Sequence, residues 1–332
     1  MHALTDTAPH PAATLRVEYR SEPLDALLAD PRLLAAFGFG DAAPSAHADP
    51  RYLHVALPAF GAAPFECWFG DGDVRHGRDD GIAWSSDGAL QFGAIEVADD
   101  GDIEIAAASA YARLQAWLAH GGYPHPLRIW NYMDAITQGD GDEERYRRFC
   151  VGRARGIGRE LSPHELPAAT AIGHPSRSGR FQLYWLAAHE SGTPLENPRQ
   201  TQAWRYPRQY GPQAPGFTRA LLPADASMPL LLSGTAAVVG HASQHGDSLA
   251  AQLDETLANL DSLIATARAQ RPALDAHFGP RSRLKVYVRD AEALPHVVAL
   301  LDARLPPEVA RIVLQGQVCR RELAVEIDGI HA

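Results

Sequence analysis

The second half of the chain alternates short apolar runs, which suit strands, with longer amphipathic stretches, which suit helices. A run of leucines enters a turn around Gly234, and residues 249–269 then follow the helical period. Residues 285–290 form another apolar run, residues 291–305 another amphipathic stretch, and residues 324–328 a closing strand. This order predicts an α/β (α+β) unit at the C-terminal end.

The closing strand carries an acidic side chain in a packed setting. Strand side chains alternate between faces, so Ala324, Glu326 and Asp328 share one face while Val325 and Ile327 share the other. The apolar face belongs in the core. Glu326 then faces either solvent or a cleft, and the pattern alone favours solvent.

The first half repeats the strand-then-helix pattern. Residues 52–57 and 89–95 suit strands, residues 106–120 suit a helix, and residues 126–132 suit the strand that follows it. We interpret this half as a second, degenerate copy of the same unit.

Two long segments between the halves are dense in Pro, Gly and polar residues. Residues 156–179 and 192–216 predict loops, with a strand at 181–186 between them. The aromatic and basic stretch 204–210 favours a packed loop that forms a wall of a site. The predicted organisation is a flexible leader (1–14), an N-terminal domain (15–155), connecting loops with the site wall (156–220) and a C-terminal domain (221–332).

Composition narrows the class of protein. The 332 residues are 46% hydrophobic and carry a formal net charge of −10, which disfavours nucleic acid and anionic membranes as partners. The three cysteines include no CxxC pair, which argues against a disulfide framework and against a metal site. We therefore expect free thiols. Because we find no signal peptide and no run of eighteen apolar residues, cytoplasmic residence is expected.

The order of elements in the second half resembles the RidA (YjgF) fold, which implies two mixed-sheet units with helices packed on one face, joined by long loops. The middle of the chain extends the resemblance, because simple RidA proteins are shorter. Five blocks, in the order found here, resemble the chorismatase family: residues 128–132, 144–153, 196–200, 206–212 and 233–241.

The chorismatase resemblance implies an enzyme that cleaves chorismate without a metal or an organic cofactor. The family's active-site glutamate matches Glu326, which would protonate the enolpyruvyl methylene carbon and release pyruvate. A carboxylic acid that burial keeps protonated can do this, because desolvation raises its pKa. The family's carboxylate-binding arginine matches Arg311. Chorismate is a dianion, so a second cationic anchor is needed; Arg153 is the candidate and Arg219 a weaker one. Tyr146 and Tyr206 complete the predicted substrate-binding set.

Two small residues point to the product. This chain has Gly234 at a position where the diol-forming members of the family carry a larger residue. It also has Cys319 at a position where those members lack a cysteine. Cys319 is therefore expected beside the reacting ring, and the resemblance implies an aromatising enzyme that forms 3-hydroxybenzoate and also 4-hydroxybenzoate. In bacteria such products feed aryl polyene pigments and ubiquinone.

Three alternatives stay open at this point. The chain could be a diol-forming chorismate hydrolase, a RidA-like enamine or imine deaminase, or a non-enzymatic binder of a small ligand. A monomer is expected, since two units and long loops can complete a cleft within one chain.

Overall fold

The computed structural model describes residues 13–175 and 178–332, and these residues form three mixed sheets with helices on their outer sides. The first sheet has the strand order β1-β4-β2-β3. It is built from β1 (Arg16–Arg20), α1 (Leu24–Leu28), β2 (Leu33–Phe39), β3 (Tyr52–Val55) and β4 (Phe65–Phe69).

The second and third sheets have the same topology. Their orders are β5-β6-β7-β10-β8-β9 and β11-β12-β13-β18-β16-β17, and in both the last pair is parallel while the other pairs are antiparallel. The second sheet comprises β5 (Arg75–Asp79), β6 (Ile82–Ser86), β7 (Leu90–Ala98), α2 (Ile103–His120), β8 (His125–Asp134), α3 (Arg145–Ile157), β9 (Ala168–His174) and β10 (Arg180–Ala188). The third comprises β11 (Thr193–Leu195), β12 (Ala220–Leu222), β13 (Leu230–Ala236), α4 (Leu249–Gln270), β16 (Arg283–Val288), α5 (Leu294–Arg304), β17 (Ala310–Gln315) and β18 (Val325–His331). Between β13 and α4, the hairpin β14 (Val238–Val239) and β15 (Ala242–Ser243) forms a separate two-stranded sheet. The prediction of two mixed-sheet units with helices on one face is confirmed.

The inner faces of the three sheets pack against one another in a central core. Phe37 from the first sheet, Trp130 and Tyr184 from the second, and Leu231 and Tyr287 from the third belong to one buried cluster. Burying such large side chains on both sides of each sheet is the main source of stability for a fold of this kind.

The outer faces are covered by helices. Helices α2 and α3 pack on the second sheet, and α4 and α5 on the third, each pair in its own apolar cluster. Ser248 is the N-cap of helix α4, and its side chain accepts a hydrogen bond from the backbone N–H of Ala251. No helix among the described residues is long and apolar enough to span a bilayer.

The structure departs from the predicted organisation in its middle. Strand β9 lies inside the predicted loop 156–179, and both β9 and β10 belong to the second sheet, which therefore crosses the predicted boundary at residue 155. The run 168–174 is short and rich in alanine, so it gives a weak strand signal. Of the predicted leader, residues 1–12 lie outside the described residues.

Candidate active site

A cavity of about 420 Å³, here called the main cavity, lies where helix α3, which packs on the second sheet, meets the third sheet. Its walls come from β13, β18 and three loops: the β8–α3, β11–β12 and β17–β18 loops. An inner pocket of about 50 Å³ continues from it and shares six lining residues with it, namely Tyr146, Pro215, Phe217, Gly234, Cys319 and Glu326. The predicted wall segment 204–210 contributes Tyr206, Gln209 and Tyr210 to the main cavity.

Glu326 lies on β18 and lines both the main cavity and the inner pocket, with 5% of the residue exposed. Its neighbours Val325 and Ile327 belong to the cluster under α4 and α5, so the predicted alternation of faces is confirmed. The preference for solvent is wrong. The face that carries Glu326 packs towards the second sheet and not outwards.

Burial, and then the nearby charge of Asp328, raise the pKa of Glu326 to about 8, against the opposing effect of Arg128, Arg219 and Arg289. No side chain in the described part of the protein hydrogen-bonds its carboxyl group. At neutral pH Glu326 is therefore mostly protonated, in the form that can donate a proton to a bound ligand.

Gly234 leaves room for this carboxyl group. A Cβ atom at position 234 would lie 2.0 Å from Oε1 of Glu326 and 3.3 Å from Oγ1 of Thr170. The pairing of β13 with β18 shifts between Leu232 and Thr235, so Gly234 lies in an irregularity of the ladder. The space that the missing side chain of Gly234 leaves is partly filled by the carboxyl group of Glu326.

Two buried arginines flank the acid. Arg219 lines the main cavity and Arg153 the inner pocket; they are 4% and 6% exposed. Arg219 donates to the carbonyl oxygen of Thr201 and, at 2.6 Å, to the hydroxyl of Tyr206. The guanidinium of Arg153 lies over the ring of Tyr111, 5.3 Å from its centroid.

Neither arginine forms an ion pair with an acid among the described residues, and the Nε of each is buried without a hydrogen-bond partner. Glu196 feels the charge of Arg219, yet burial raises the pKa of that carboxyl and the two form no ion pair. A buried cation without a countercharge is costly unless a ligand supplies one. The cavity is thus prepared for an anion with two negative groups.

Cys319 lines both the main cavity and the inner pocket. Loss of hydration, and then the nearby Glu326, raise the pKa of its thiol to about 12. It is therefore a neutral thiol at neutral pH, suited to packing against a ligand and not to nucleophilic attack. Arg289 holds the loop that carries it, by donating to the carbonyl oxygens of Val318, Arg320 and Leu323.

Comparisons with known proteins agree on one family. A family model described as "Chorismatase FkbO/Hyg5-like, N-terminal" matches residues 66–187. A 3-hydroxybenzoate synthase of Streptomyces hygroscopicus is 36% identical over 289 residues, covering 84% of this chain and 84% of the relative. A chorismatase of Streptomyces rapamycinicus is 35% identical and covers 80% of this chain and 82% of the relative.

The chain belongs to the chorismatase family. A crystal structure of a chorismatase matches this fold with a TM-score of 0.86 and 31% sequence identity, over 98% of this chain and all of the other. The resemblance inferred from the ordered sequence blocks is confirmed at the level of the family.

Of the eight site residues predicted from the sequence, this chorismatase-family fold brings seven together. Tyr146, Tyr206, Arg219, Gly234, Cys319 and Glu326 line the main cavity, and Arg153 lines the inner pocket.

Arg311, which the sequence predicted as the carboxylate-binding arginine, lies outside both spaces, so that prediction is corrected. On β17, its guanidinium pairs with Asp302 of α5 and donates to the carbonyl oxygen of Val309 at 3.3 Å. It lines neither the main cavity nor the inner pocket. Motif spacing selected a residue outside the cavity. Among the described residues that line the main cavity and the inner pocket, the buried arginines without an acid partner are Arg153 and Arg219.

Sequence reasoning missed the support behind the acid. Asp328, two residues after Glu326, is fully buried, and its Oδ2 accepts from Arg128 at 2.9 Å, Thr170 at 2.7 Å and Tyr287 at 3.1 Å. The alternation of β18 placed Glu326 and Asp328 on one face, which is a signal for paired carboxylates. Arg320 was also missed; its guanidinium lies 4.1 Å from the ring centroid of Tyr210 and 5.1 Å from that of Tyr206.

Proposed function

We propose that this protein cleaves chorismate to pyruvate and a hydroxybenzoate. The observation that carries the proposal is a carboxylic acid held protonated by burial, in a cavity flanked by two buried arginines that have no acid partner among the residues the structure describes. Chorismate carries two carboxylates and an enol ether, which match two cations and one proton donor. Relatives whose names state 3-hydroxybenzoate synthase and chorismatase support the same reaction.

The chemistry assigned to the residues begins with Glu326. Its proton goes to the methylene carbon of the enolpyruvyl group, and the positive charge that develops lies beside the ether oxygen. The bond between the ether oxygen and the ring carbon is then broken, and pyruvate leaves with that oxygen as its keto group, while the ring keeps the oxygen of its own hydroxyl group. Loss of a ring proton, which returns to Glu326, makes the ring aromatic, so the atoms of chorismate account for both products.

Arg153 and Arg219 position the substrate in this scheme. A planar guanidinium grips a carboxylate through two parallel hydrogen bonds and keeps its charge in a buried site. We assign the two carboxylates of chorismate to this pair, with Tyr206 orienting Arg219 through its hydroxyl group.

The finer points of function remain part of the proposal. Gly234 and Cys319 favour the aromatising reaction with 3-hydroxybenzoate as a product, and 4-hydroxybenzoate is expected beside it. Residence in the cytoplasm, a monomeric state and a supply to pigment or ubiquinone synthesis remain predictions.

The test is to incubate the protein with chorismate in metal-free buffer and to separate the products by chromatography. Pyruvate with hydroxybenzoate is expected, and Glu326→Gln should bind chorismate without releasing pyruvate. The dihydrodiol in place of hydroxybenzoate would overturn the aromatising assignment. Pyruvate absent altogether would overturn chorismate cleavage and return the deaminase and the non-enzymatic binder as explanations.

A further inference from the structure

A second cavity, of about 690 Å³, lies behind Arg153. We call it the rear cavity. It shares Cys150 and Arg153 with the inner pocket, so those two side chains form the boundary between it and the site that holds Glu326. Its volume falls in the range of small-ligand sites.

The partition between the two spaces is one strand-like segment of the β11–β12 loop. Along this segment the residues alternate sides: Pro215 and Phe217 line the inner pocket, whereas Ala214 and Gly216 line the rear cavity. Gly216 leaves a thin wall, since a Cβ atom there would lie 3.4 Å from Nη1 of Arg153.

Helix α3 forms the floor of both spaces. Tyr146 and Phe149 face the inner pocket, Cys150 and Arg153 face both, and Ile157 faces the rear cavity. This stripe, repeating every three or four residues, is one face of the helix. A ligand moving along it would pass the guanidinium of Arg153.

The chemistry of the rear cavity suits an aromatic anion. Apolar side chains supply its walls, among them Trp204, Leu161 and Leu166. Three arginines and one acid also line it: Arg153, Arg159, Arg205 and Glu160. Arg159 is paired with Glu165 at 2.7 Å, whereas Arg153 and Arg205 have no acid partner in the described part of the chain. A positive, apolar-walled cavity in a protein of net charge −10 selects for a small carboxylate with a flat ring.

We propose that the rear cavity is a second binding site, for an aromatic carboxylate, that is reached from the inner pocket past Arg153. The identity of the natural ligand rests on the proposed function: the hydroxybenzoate formed in the main cavity has the required ring and charge. Pyruvate lacks the ring and leaves through the main cavity.

The site is tested by product inhibition with 3-hydroxybenzoate. Mixed inhibition is expected, with a lowered maximal rate, because the exposed residues Arg159, Glu160 and Arg205 leave the rear cavity open to solvent when chorismate fills the main cavity. Arg205→Ala, at an exposed position, should weaken the component that lowers the maximal rate at least tenfold and leave initial rates without added product unchanged. Arg281→Ala is the matched control, since it removes an exposed charge paired with Asp275, and should behave as wild type. Purely competitive inhibition, or an Arg205→Ala variant inhibited like wild type, would overturn the proposal.

A binding measurement separates this proposal from the proposed function, because it needs no turnover. Adding 3-hydroxybenzoate should quench tryptophan fluorescence in wild type, and the part due to Trp204 should be lost in Trp204→Phe and weakened in Arg205→Ala. If the protein releases no pyruvate from chorismate but shows this quenching, the rear site stands and the reaction does not. Quenching that is the same in wild type and both variants would remove the site.

The route past Arg153 has its own test. Gly216→Leu should obstruct the thin wall, whereas Gly216→Ala fits with little displacement. In the leucine variant a burst of one hydroxybenzoate per protein should precede a slower steady state, while the single-turnover rate is kept. A steady-state rate equal to that of the alanine variant, or an equal fall in the single-turnover rate, would exclude the route.

Discussion

The carboxyl oxygen Oε1 of Glu326 lies 2.0 Å from the point that a Cβ atom on residue 234 would occupy. The position of the Glu326 carboxyl group therefore depends on the absence of a side chain at residue 234. Glu326 takes this position in the cavity because residue 234 has no side chain.

Gly234→Ala should consequently displace the proton donor and slow proton donation. The added methyl group pushes the carboxyl group away from its position, and a well-placed general acid contributes a factor on the order of 10² to 10⁴. We expect kcat to fall by about 10²-fold or more, measured as pyruvate release at saturating chorismate.

Gly279→Ala is the control for this substitution, because a Cβ atom there would have its nearest neighbour at 4.0 Å. That variant should keep wild-type kcat. An unchanged kcat in Gly234→Ala would show that the carboxyl group does not need its observed position.

Glu326→Gln should lose turnover and yet stabilise the protein above acidic pH. Folding raises the pKa of Glu326 from 4.5 to about 8, so above pH 4.5 the unfolded state releases a proton that the folded state retains. Stability from this group thus declines as pH rises between 4.5 and 8, by on the order of 1.4 kcal/mol per pH unit.

The glutamine variant lacks this penalty. Its free energy of unfolding, measured by urea titration at several pH values, should exceed that of wild type by a margin that grows from pH 5 to pH 8. The activity of wild type should fall as pH rises through about 8, when the acid loses its proton. A difference in stability that is independent of pH would contradict the raised pKa.

Asp328→Asn should move the alkaline limb of the activity profile to lower pH. The charge of Asp328 raises the pKa of Glu326, and its removal also leaves Arg128 without its countercharge. The same change breaks a fully buried ion pair, which costs on the order of 3–5 kcal/mol of stability.

Thr170→Val is the matched control, since it deletes a 2.7 Å hydrogen bond to the same Asp328 oxygen and no charge. It should lower stability by about 1–2 kcal/mol and shift the limb less than Asp328→Asn does. Equal shifts in both variants would mean that hydrogen bonding, and not the charge of Asp328, sets the acidity of Glu326.

Arg153→Met and Arg219→Met should each lower kcat/KM for chorismate strongly and change the stability of the protein little. Charge-assisted hydrogen bonds to a carboxylate contribute about 1.5–3 kcal/mol, so kcat/KM should fall by roughly 10- to 150-fold in each variant. The thermal midpoint should change little or rise, because each substitution removes a buried cation that has no acid partner in the described ranges 13–175 and 178–332.

Arg311→Met separates the two assignments of the carboxylate anchor. Its guanidinium pairs with Asp302 outside the cavity, so kcat/KM should stay within about twofold of wild type. A loss of activity as large as in Arg219→Met would restore the assignment made from motif spacing.

Strong periodicity made the helices and several strands predictable. Helices α2 and α4 were predicted to within a few residues, and so was the final strand with its two faces, because each carries a long or regular apolar pattern. Helix α3 was not predicted as a helix. Five of its residues are arginine and few are apolar, so no apolar run marks this helix in the sequence.

The sequence motifs identified which residues are candidates for the site. They could not show which of these side chains lie in the cavity, because that depends on contacts between distant segments. The sequence placed Glu326, Gly234 and Arg153 on a list of candidates, but which arginine lacks an acid partner depends on contacts between distant segments. Asp302 lies nine residues from Arg311 and captures it, an ion pair that spacing alone could not exclude. The burial of Glu326 likewise depends on the second sheet, which packs against its face.

The buried ionic cluster behind the acid draws one residue or more from every sheet. Glu66 belongs to β4, Arg128 to β8, and Lys285 and Asp328 to β16 and β18; Lys285 donates to Glu66 at 2.8 Å and lies 3.6 Å from Asp328. If any one sheet separated from the others, charged side chains of this cluster would lose their partners while still buried among aromatic residues. We therefore expect the three sheets to unfold together in a single cooperative transition, even though the second and third have the topology of separate units.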